Sequence, residues 1–168
     1  HPFYDDLPDP ILPALNYKEN PLHYTDLNIN CDIRERYEKE IIPLLCESGD
    51  DQQHGSSAVA DVACLQSLSK RIHYGMFVAE SKYRQSTKTY DQLIAEKDRE
   101  AIRENITDKD VERQVLERLH RKASTYLHEM NGCNSEQFFT PESLVKVYRE
   151  IVIPMTKHVE IEYLIRRH

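Results

Sequence analysis

Arg71 and Lys82 are two cations that lie eleven residues apart in the segment SLSKRIHYGMFVAESKYR, residues 67–84. If this segment is helical, the two side chains point within about 20° of each other, roughly 16 Å apart along the axis. The other residues of that face are small or apolar, namely Cys64, Leu68, Gly75 and Val78. Because buried charges cost free energy unless they are paired, this face predicts carboxylate partners or a bound dianion. An ordinary salt-bridged or snorkelling pair is the alternative that the spacing alone leaves open.

Two further polar pairs have the i, i+4 spacing of one helical face, Asp108 with Glu112 and Thr156 with Glu160. For any single glutamate, a solvated surface is the more common interpretation. The eight histidines form no H-x-x-x-H pair, and the chain has neither a glycine-rich phosphate loop nor a Ser/His/Asp order typical of a triad. The sequence therefore disfavours a metal site, a nucleotide site and a hydrolase triad.

The bulk composition excludes several classes of partner. A net charge of −7 argues against nucleic acid or an anionic membrane, because both attract proteins with a positive field. We find no apolar run near the ~20 residues that a membrane span needs, and no signal peptide at the start of the chain. The four cysteines lack C-x-x-C spacing, which predicts reduced, buried thiols in a cytoplasmic protein.

Scarce glycine and prolines near the ends predict an all-α fold, a helical bundle that forms one domain over residues 1–168. The proline-rich residues 1–25 predict an extended leader, and residues 26–168 the helical core. Apolar spacing predicts a helix over residues 28–46, and a polar loop follows over residues 47–55. One long central helix comes next. Its apolar stripe consists of Ala58, Val62, Leu65, Ser69, Ile72, Met76, Ala79 and Tyr83.

The second half of the chain continues the helical pattern. One or two short helices are predicted over residues 87–106, and Thr107 is predicted to cap the next helix. Residues 131–139 read as a loop. The segment TPE, residues 140–142, then supplies an N-cap, a proline at the first helical position and an acid in the first turn of a long C-terminal helix. Pro154 lies inside that helix and predicts a kink.

Two blocks, GSSAVADVACLQSLSKRIHYGMFVAESKY and IVIPMTKHVEIEYLIRR, resemble the all-helical chorismate mutases of fungi and plants. The similarity extends from about Asn28 to the C-terminus and includes ITDKDVERQVLERL and TPESLVKVYREIVIP. The resemblance implies an isomerase that rearranges chorismate to prephenate on the route to phenylalanine and tyrosine. It also implies a homodimer of long helices that needs no cofactor and forms no covalent intermediate.

The resemblance assigns roles to three catalytic residues. Arg71 matches the arginine that holds a substrate carboxylate, and Lys82 matches the lysine that donates near the ether oxygen. Glu160 matches the second donor to that oxygen. A glutamate donates only when it is protonated, so we expect an apolar setting to raise the pKa of Glu160 and activity to fall as pH rises through that pKa.

The same resemblance identifies three substrate-binding positions. Glu112 matches the acceptor for the substrate hydroxyl, and Thr156 matches a residue at the edge of the substrate pocket. Asp108 stands where fungal relatives usually have asparagine. A carboxylate that faces a dianion repels it unless it is turned away or protonated, so Asp108 is the departure from the family pattern.

Regulation and completeness are further expectations from the resemblance. Gly55 and Ser56 match part of an effector loop, which implies feedback inhibition by tyrosine and activation by tryptophan; a simple loop with an N-cap is the alternative. Val59 replaces a threonine often found there. The relatives carry another carboxylate-binding arginine in an N-terminal helix that we expect this chain to lack. A catalytically impaired module retained for effector sensing or dimerisation therefore remains an alternative, as does an effector secreted to divert a host's chorismate.

Overall fold

The computed structural model describes residues 20–23, 25–50, 52–131 and 140–167, with the backbone alone for residues 130 and 131. Every regular element in these ranges is helical, so the predicted all-α class is confirmed. Most of the predicted leader and the predicted loop at residues 131–139 lie outside the described residues. The elements are α1 (Asn30–Arg36), a first π-helical segment (Tyr37–Ile41), α2 (Ile42–Leu45), α3 (His54–His73), α4 (Gly75–Gln85), α5 (Thr87–Glu96), α6 (Arg99–Ile106), α7 (Lys109–Asn131), α8 (Pro141–Val147), a second π-helical segment (Tyr148–Val152) and α9 (Ile153–Ile165).

Several of these elements join end to end into long rods. Helices α3 and α4 are separated only by Tyr74, and α8, the second π-helical segment and α9 follow one another without a gap. The long central helix and the long C-terminal helix are therefore both confirmed. Thr140 caps α8 by accepting a hydrogen bond from the Ser143 amide at 3.2 Å, with Pro141 at the first helical position, as the sequence predicted.

Each π-helical segment precedes a proline inside a rod; the first rod consists of α1, the first π-helical segment and α2, and the second of α8, the second π-helical segment and α9. Pro43 and Pro154 are the second residues of α2 and α9, and a proline offers no amide hydrogen to the helical ladder. In both rods the residue before the proline donates five residues back, from Ile42 to the Tyr37 carbonyl and from Ile153 to the Tyr148 carbonyl. The break in hydrogen bonding that Pro154 predicts thus takes the form of a widened turn.

Helix α9 lies at the centre of the bundle. Its buried residues include Val159, Ile161, Tyr163 and Leu164, and it packs against α3, α4 and α6. A helix that is apolar on nearly every side is one that its neighbours enclose. The two buried glutamates of α9, Glu160 and Glu162, are therefore exceptions that need partners or a proton.

Gly75 allows α4 to approach α9 closely. A Cβ atom at this position would lie 2.9 Å from the Thr156 carbonyl oxygen and 3.2 Å from Cγ of Glu160. Such distances are shorter than ordinary packing contacts, and one of them involves backbone that cannot move aside. The glycine therefore sets how near these two helices lie.

Burial along α3 differs from the prediction. The apolar stripe was expected to be buried along its length, but Ala58 and Val62 are exposed, and burial becomes complete only at Ile72 and Ala79. Val59, on the same half of the helix, is 71% exposed. Apolar periodicity shows that a face can be buried, whereas the neighbouring helices decide whether it is. Among the described helices none is long and apolar enough to cross a membrane.

Two local predictions were also wrong. The α7 cap is Asp108, whose Oδ1 accepts hydrogen bonds from the amides of Asp110 and Val111 at 3.1 and 3.0 Å. Thr107 instead donates its hydroxyl to the Arg103 carbonyl at 2.7 Å, because its backbone still belongs to the end of α6. The thiols of Cys31, Cys46 and Cys64 are free as expected but exposed rather than buried. The prediction for Cys133 falls outside the described residues.

Candidate functional site

The six residues predicted to contact a substrate line one cavity. This charged cavity has a volume of about 160 Å³ and lies among α3, α4, α7 and α9, beside the turn between α6 and α7. Its charged and polar lining consists of Arg71, Lys82, Asp108, Glu112, Thr156, Lys157 and Glu160. A second cavity of about 480 Å³ shares Lys82, Ile106 and Asp108 with it. The two spaces therefore adjoin, and together they offer room for a small organic anion.

Lys82 and Glu160 face each other across the interface between α4 and α9. Lys82 Nζ lies 3.7 Å from Glu160 Oε2, which is an ion-pair distance but too long for a hydrogen bond. The ammonium group donates instead to the Ile106 carbonyl at the end of α6. Glu160 Oε2 is buried and has no hydrogen-bond partner among the described residues. An unsatisfied buried oxygen in a cavity is a position that a ligand can complete.

Burial controls the ionisation of Glu160. The residue is 6% exposed, and burial raises the pKa of its carboxyl to about 7, although the nearby charge of Lys82 favours ionisation. The predicted rise in this pKa is confirmed. Close to neutral pH a large share of the molecules therefore carries a protonated carboxyl, which can donate a hydrogen bond into the cavity.

Lys157 is a member of the cavity that sequence reasoning missed. Its Nζ lies 2.6 Å from Glu112 Oε1, and the two side chains are 18% and 30% exposed. The ion pair joins α9 to α7 and holds Glu112 in place at the cavity wall. The available signal was position, because Lys157 follows Thr156 directly and precedes Glu160 by three residues, a spacing that keeps it near their face.

Arg71 supplies a further cation to the cavity. Its side chain is exposed at the cavity, and no ion pair or hydrogen bond joins it to another residue in the described ranges. A guanidinium presents paired donors that match the geometry of a carboxylate. Arg71 is therefore placed to bind an anion that enters the cavity.

Asp108 and Thr156 both make local bonds. The Asp108 carboxylate caps α7, so one of its oxygens is occupied by backbone amides rather than turned toward the cavity. The Thr156 hydroxyl donates to the Val152 carbonyl at 2.7 Å and retains its capacity to accept. Gly55 and Ser56 lie in the first turn of α3 and do not line the cavity.

Larger cavities lie elsewhere, but many of the charged side chains that line them are paired with each other. One of about 540 Å³ is lined by α1, both π-helical segments and α9, and one of about 610 Å³ lies beside α7. Much of their charge is paired internally, as in the bridges Arg36–Glu40, Lys39–Glu35 and Arg113–Glu117. In the part of the chain that the structure describes, no cluster of His, Cys, Asp and Glu has the arrangement of a metal site.

The chain is similar to several known proteins. Residues 54–161 match the family model described as chorismate mutase type II. The chorismate mutase of Saccharomyces cerevisiae is 46% identical over 170 residues, which cover 99% of this chain and 66% of that protein. The crystal structure of a Candida albicans chorismate mutase in complex with L-Trp superposes with a TM-score of 0.83 at 40% identity, covering 97% of this chain and 62% of that one.

A structure of AtCM1 with tyrosine bound in its allosteric site also has a TM-score of 0.83 at 40% identity, covering 99% of this chain and 67% of that one. The chain thus spans about two thirds of the length of the relatives it matches. The family match includes all of α4, with Lys82, and the part of α9 that carries Glu160. On that match and on the shared fold, the chain belongs to the type II chorismate mutase family.

Proposed function

We propose that this protein is an isomerase that rearranges chorismate to prephenate in the synthesis of phenylalanine and tyrosine. The observation that carries the proposal is the pair Lys82 and Glu160: Lys82 Nζ lies 3.7 Å from Glu160 Oε2, a buried oxygen that has no hydrogen-bond partner among the described residues. In this reaction an ether C–O bond breaks while a C–C bond forms within the same cyclic array, and no proton is transferred. The protein therefore needs only to position the substrate and to stabilise charge.

Negative charge develops on the ether oxygen as its bond breaks. Lys82 and protonated Glu160 can each donate a hydrogen bond to an oxygen between them, which stabilises the transition state more than the ground state. Because Glu160 is buried and Lys82 is held by the Ile106 carbonyl, neither donor needs to reorganise during the reaction. Preorganisation of this kind supplies a rate effect without any cofactor.

The other charges of the cavity hold the substrate. Arg71, which has no ion-pair partner among the described residues, binds one carboxylate, and Lys157 adds positive charge on the α9 side. Glu112, held by Lys157, accepts the substrate hydroxyl. Thr156 contacts the substrate at the cavity edge, and Asp108 lies near it as the cap of α7. The resemblance implies a second arginine in an N-terminal helix, which would bind the other carboxylate of the substrate.

Regulation by aromatic amino acids is the second part of the proposal. The Candida albicans relative was crystallised with L-Trp, and AtCM1 has tyrosine in an allosteric site. Gly55 and Ser56 are exposed at the start of α3, where they are accessible to such an effector. We place the protein in the cytoplasm as a homodimer, consistent with the free thiols of Cys31, Cys46 and Cys64.

One observation favours the alternative, a module that senses effectors or dimerises without catalysis. The solvent side of α3 and α4 exposes large apolar side chains, including Val59, Tyr74 and Phe77 at 71%, 49% and 44%. Such a surface is typical of an interaction site. A module that only senses effectors or dimerises has no need of the charged cavity, whereas a catalyst does. The cavity therefore favours catalysis.

The test follows the loss of chorismate absorbance in the ultraviolet. We expect Lys82→Met to lower kcat by about 100-fold or more, the usual cost of removing one donor to a developing oxyanion. Lys88→Met is the matched control, because Lys88 is an exposed lysine of α5 outside the cavity. The assay is run on this chain and on a version with the native upstream residues. Equal rates for both variants, or no turnover in either version, would favour the sensing or dimerisation module.

A further inference from the structure

Glu80 is a buried carboxylate of α4 that the proposed chemistry does not use. It is 3% exposed and accepts hydrogen bonds from three side chains. Arg84 Nε donates at 2.7 Å, the Tyr163 hydroxyl at 2.8 Å and Arg167 Nε at 3.0 Å. Burial by itself raises the pKa of Glu80, but these donors outweigh it and lower the pKa to about 2, so the group remains a carboxylate.

The donors of this cluster come from separate parts of the fold. Tyr163 belongs to α9, Arg167 to the turn after α9, and Arg84 to α4 itself. Arg167 also stacks on the ring of Tyr83, 3.6 Å from its centroid. We call Glu80, Tyr163 and Arg167 the α4–α9 clamp. It joins the two helices through charge-assisted hydrogen bonds, which are directional and therefore define one relative position of the helices.

A second contact between α4 and α9 lies at Gly75, where α4 touches the backbone of Thr156 and the side chain of Glu160. Along α9, Glu160 lies between Thr156 and Tyr163, so its position relative to α4 is defined from both sides. A shift of α9 along or around α4 would have to break one of these contacts.

The Lys82–Glu160 distance depends on that relative position. At 3.7 Å the two groups are about 1 Å short of a charge-assisted hydrogen bond. Closing this gap would satisfy Glu160 Oε2 with the ammonium and favour the ionised carboxylate. Admitting water would favour ionisation as well. Only a fixed separation keeps Oε2 of Glu160 both buried and without a hydrogen bond from Lys82.

We propose that the α4–α9 clamp is a positioning device that holds Lys82 and Glu160 apart, so that the Glu160 carboxyl stays available as a donor. Glu80, Tyr163 and Arg167 do not touch the charged cavity, and they act through the position of α9 against α4. The catalytic consequence rests on the proposed function, but the effect on the Glu160 carboxyl does not.

Several charged or titratable groups act on Glu160. Lys82 faces it from α4, Glu112 from α7 and Tyr90 from α5, and Lys157 lies on the same helix. Of these, Lys82 is the one whose separation from Glu160 the clamp controls, because the clamp joins α4, which carries Lys82, to α9, which carries Glu160. The titration of the Glu160 carboxyl therefore reports on the clamp.

The test is Tyr163→Phe, read by carbon-detected NMR titration of the glutamate carboxyls, with Glu160 assigned from the spectrum of Glu160→Gln. The matched control is Tyr37→Phe. Tyr37 is also a buried phenol, and it donates from the first π-helical segment to Asp61 of α3 at 2.6 Å. We expect both variants to melt at lower temperature. Only Tyr163→Phe should lower the Glu160 midpoint, by about one pH unit or more, as Lys82 or water approaches the carboxyl.

The opposite results would overturn the proposal. A Glu160 midpoint unchanged in Tyr163→Phe, or lowered equally in Tyr37→Phe, would show that the clamp only stabilises the fold. If Tyr163→Phe fails to fold, Arg167→Met serves instead, because it removes the charged donor and keeps a long apolar side chain against Tyr83; the same downward shift is expected. The titration needs no turnover. If the unmodified protein is inactive but Tyr163→Phe lowers the Glu160 midpoint, the proposed function is rejected and the clamp is supported. If the unmodified protein is active but the midpoint does not change in Tyr163→Phe, the clamp is rejected and the proposed function is supported.

Discussion

Glu160 should make the protein less stable as pH rises from about 4.5 to about 7. In the folded state burial raises the pKa of this carboxyl from 4.5 to about 7. Within that window the folded protein holds the proton and the unfolded chain does not, so stability falls with increasing pH. Each pKa unit corresponds to about 1.4 kcal/mol, so the whole loss is about 3 kcal/mol. Below the window both states are protonated, and above it both are ionised.

Glu160→Gln removes this titration while keeping the size of the side chain. Urea unfolding of both proteins from pH 4.5 to pH 8 measures the effect. We expect the stability of Glu160→Gln relative to the unmodified protein to increase by about 3 kcal/mol across that range. Comparing the change with pH, rather than the absolute values, removes the constant effect of placing an amide beside Lys82.

Glu162→Gln is the control from the same helix. Glu162 is also buried, but its hydrogen-bonded ion pair with Arg99 lowers the pKa of its carboxyl, so from about pH 5.5 upward it is ionised in both states. The stability difference for Glu162→Gln should therefore stay flat between about pH 5.5 and 8, where that for Glu160→Gln still changes. A flat difference for Glu160→Gln as well would mean that Glu160 is ionised throughout, and its role as a donor would be refuted.

Three further outcomes are expected. The turnover rate of the unmodified protein should fall as pH rises through about 7, whereas Glu160→Gln, whose amide donates at any pH, should show a flat rate from pH 6 to 9 in the chorismate assay. Gly75→Ala should lower stability by about 1–3 kcal/mol in thermal unfolding, because its Cβ would meet the Thr156 carbonyl oxygen at 2.9 Å; an unchanged melting temperature would contradict the close packing of α4 on α9. Asp108→Asn keeps the α7 cap and removes a negative charge, so calorimetry should show tighter binding of prephenate at nearly unchanged stability. Asp108→Ala removes the cap and should lower the stability of the protein by about 1 kcal/mol. Weaker binding of prephenate by Asp108→Asn would show that the charge itself is needed.

Much of the candidate site follows from local rules that the sequence obeys. Arg71 and Lys82 share a face because helical geometry repeats every 3.6 residues, and the structure brings both to one cavity. The same rule pairs Thr156 with Glu160. Cap signals were reliable where a proline restricts the backbone, as at Thr140. They were wrong at Thr107, because the next residue, Asp108, is also a good cap, and the Thr107 hydroxyl bonds back to the Arg103 carbonyl of α6.

Other parts of the site depend on which helices meet. Lys157 belongs to the cavity because α7 brings Glu112 to within 2.6 Å of its ammonium, and no local pattern specifies that approach. The exposure of Ala58 and Val62 has the same cause, because their periodicity predicts burial but the described neighbours do not cover them.

By itself the sequence determined the helical class, the approximate bounds of most helices and the faces on which the charged residues lie, because these depend on contacts within a few turns of chain. Only the tertiary structure decided the charge states. Glu80 and Glu160 are both buried glutamates, yet the pKa of one is lowered to about 2 and that of the other raised to about 7. The difference arises because α9 and the turn after it supply donors to Glu80, whereas no residue in the described part of the chain donates to Oε2 of Glu160. Desolvation acts on both carboxyls, and only long-range packing determines whether it is compensated.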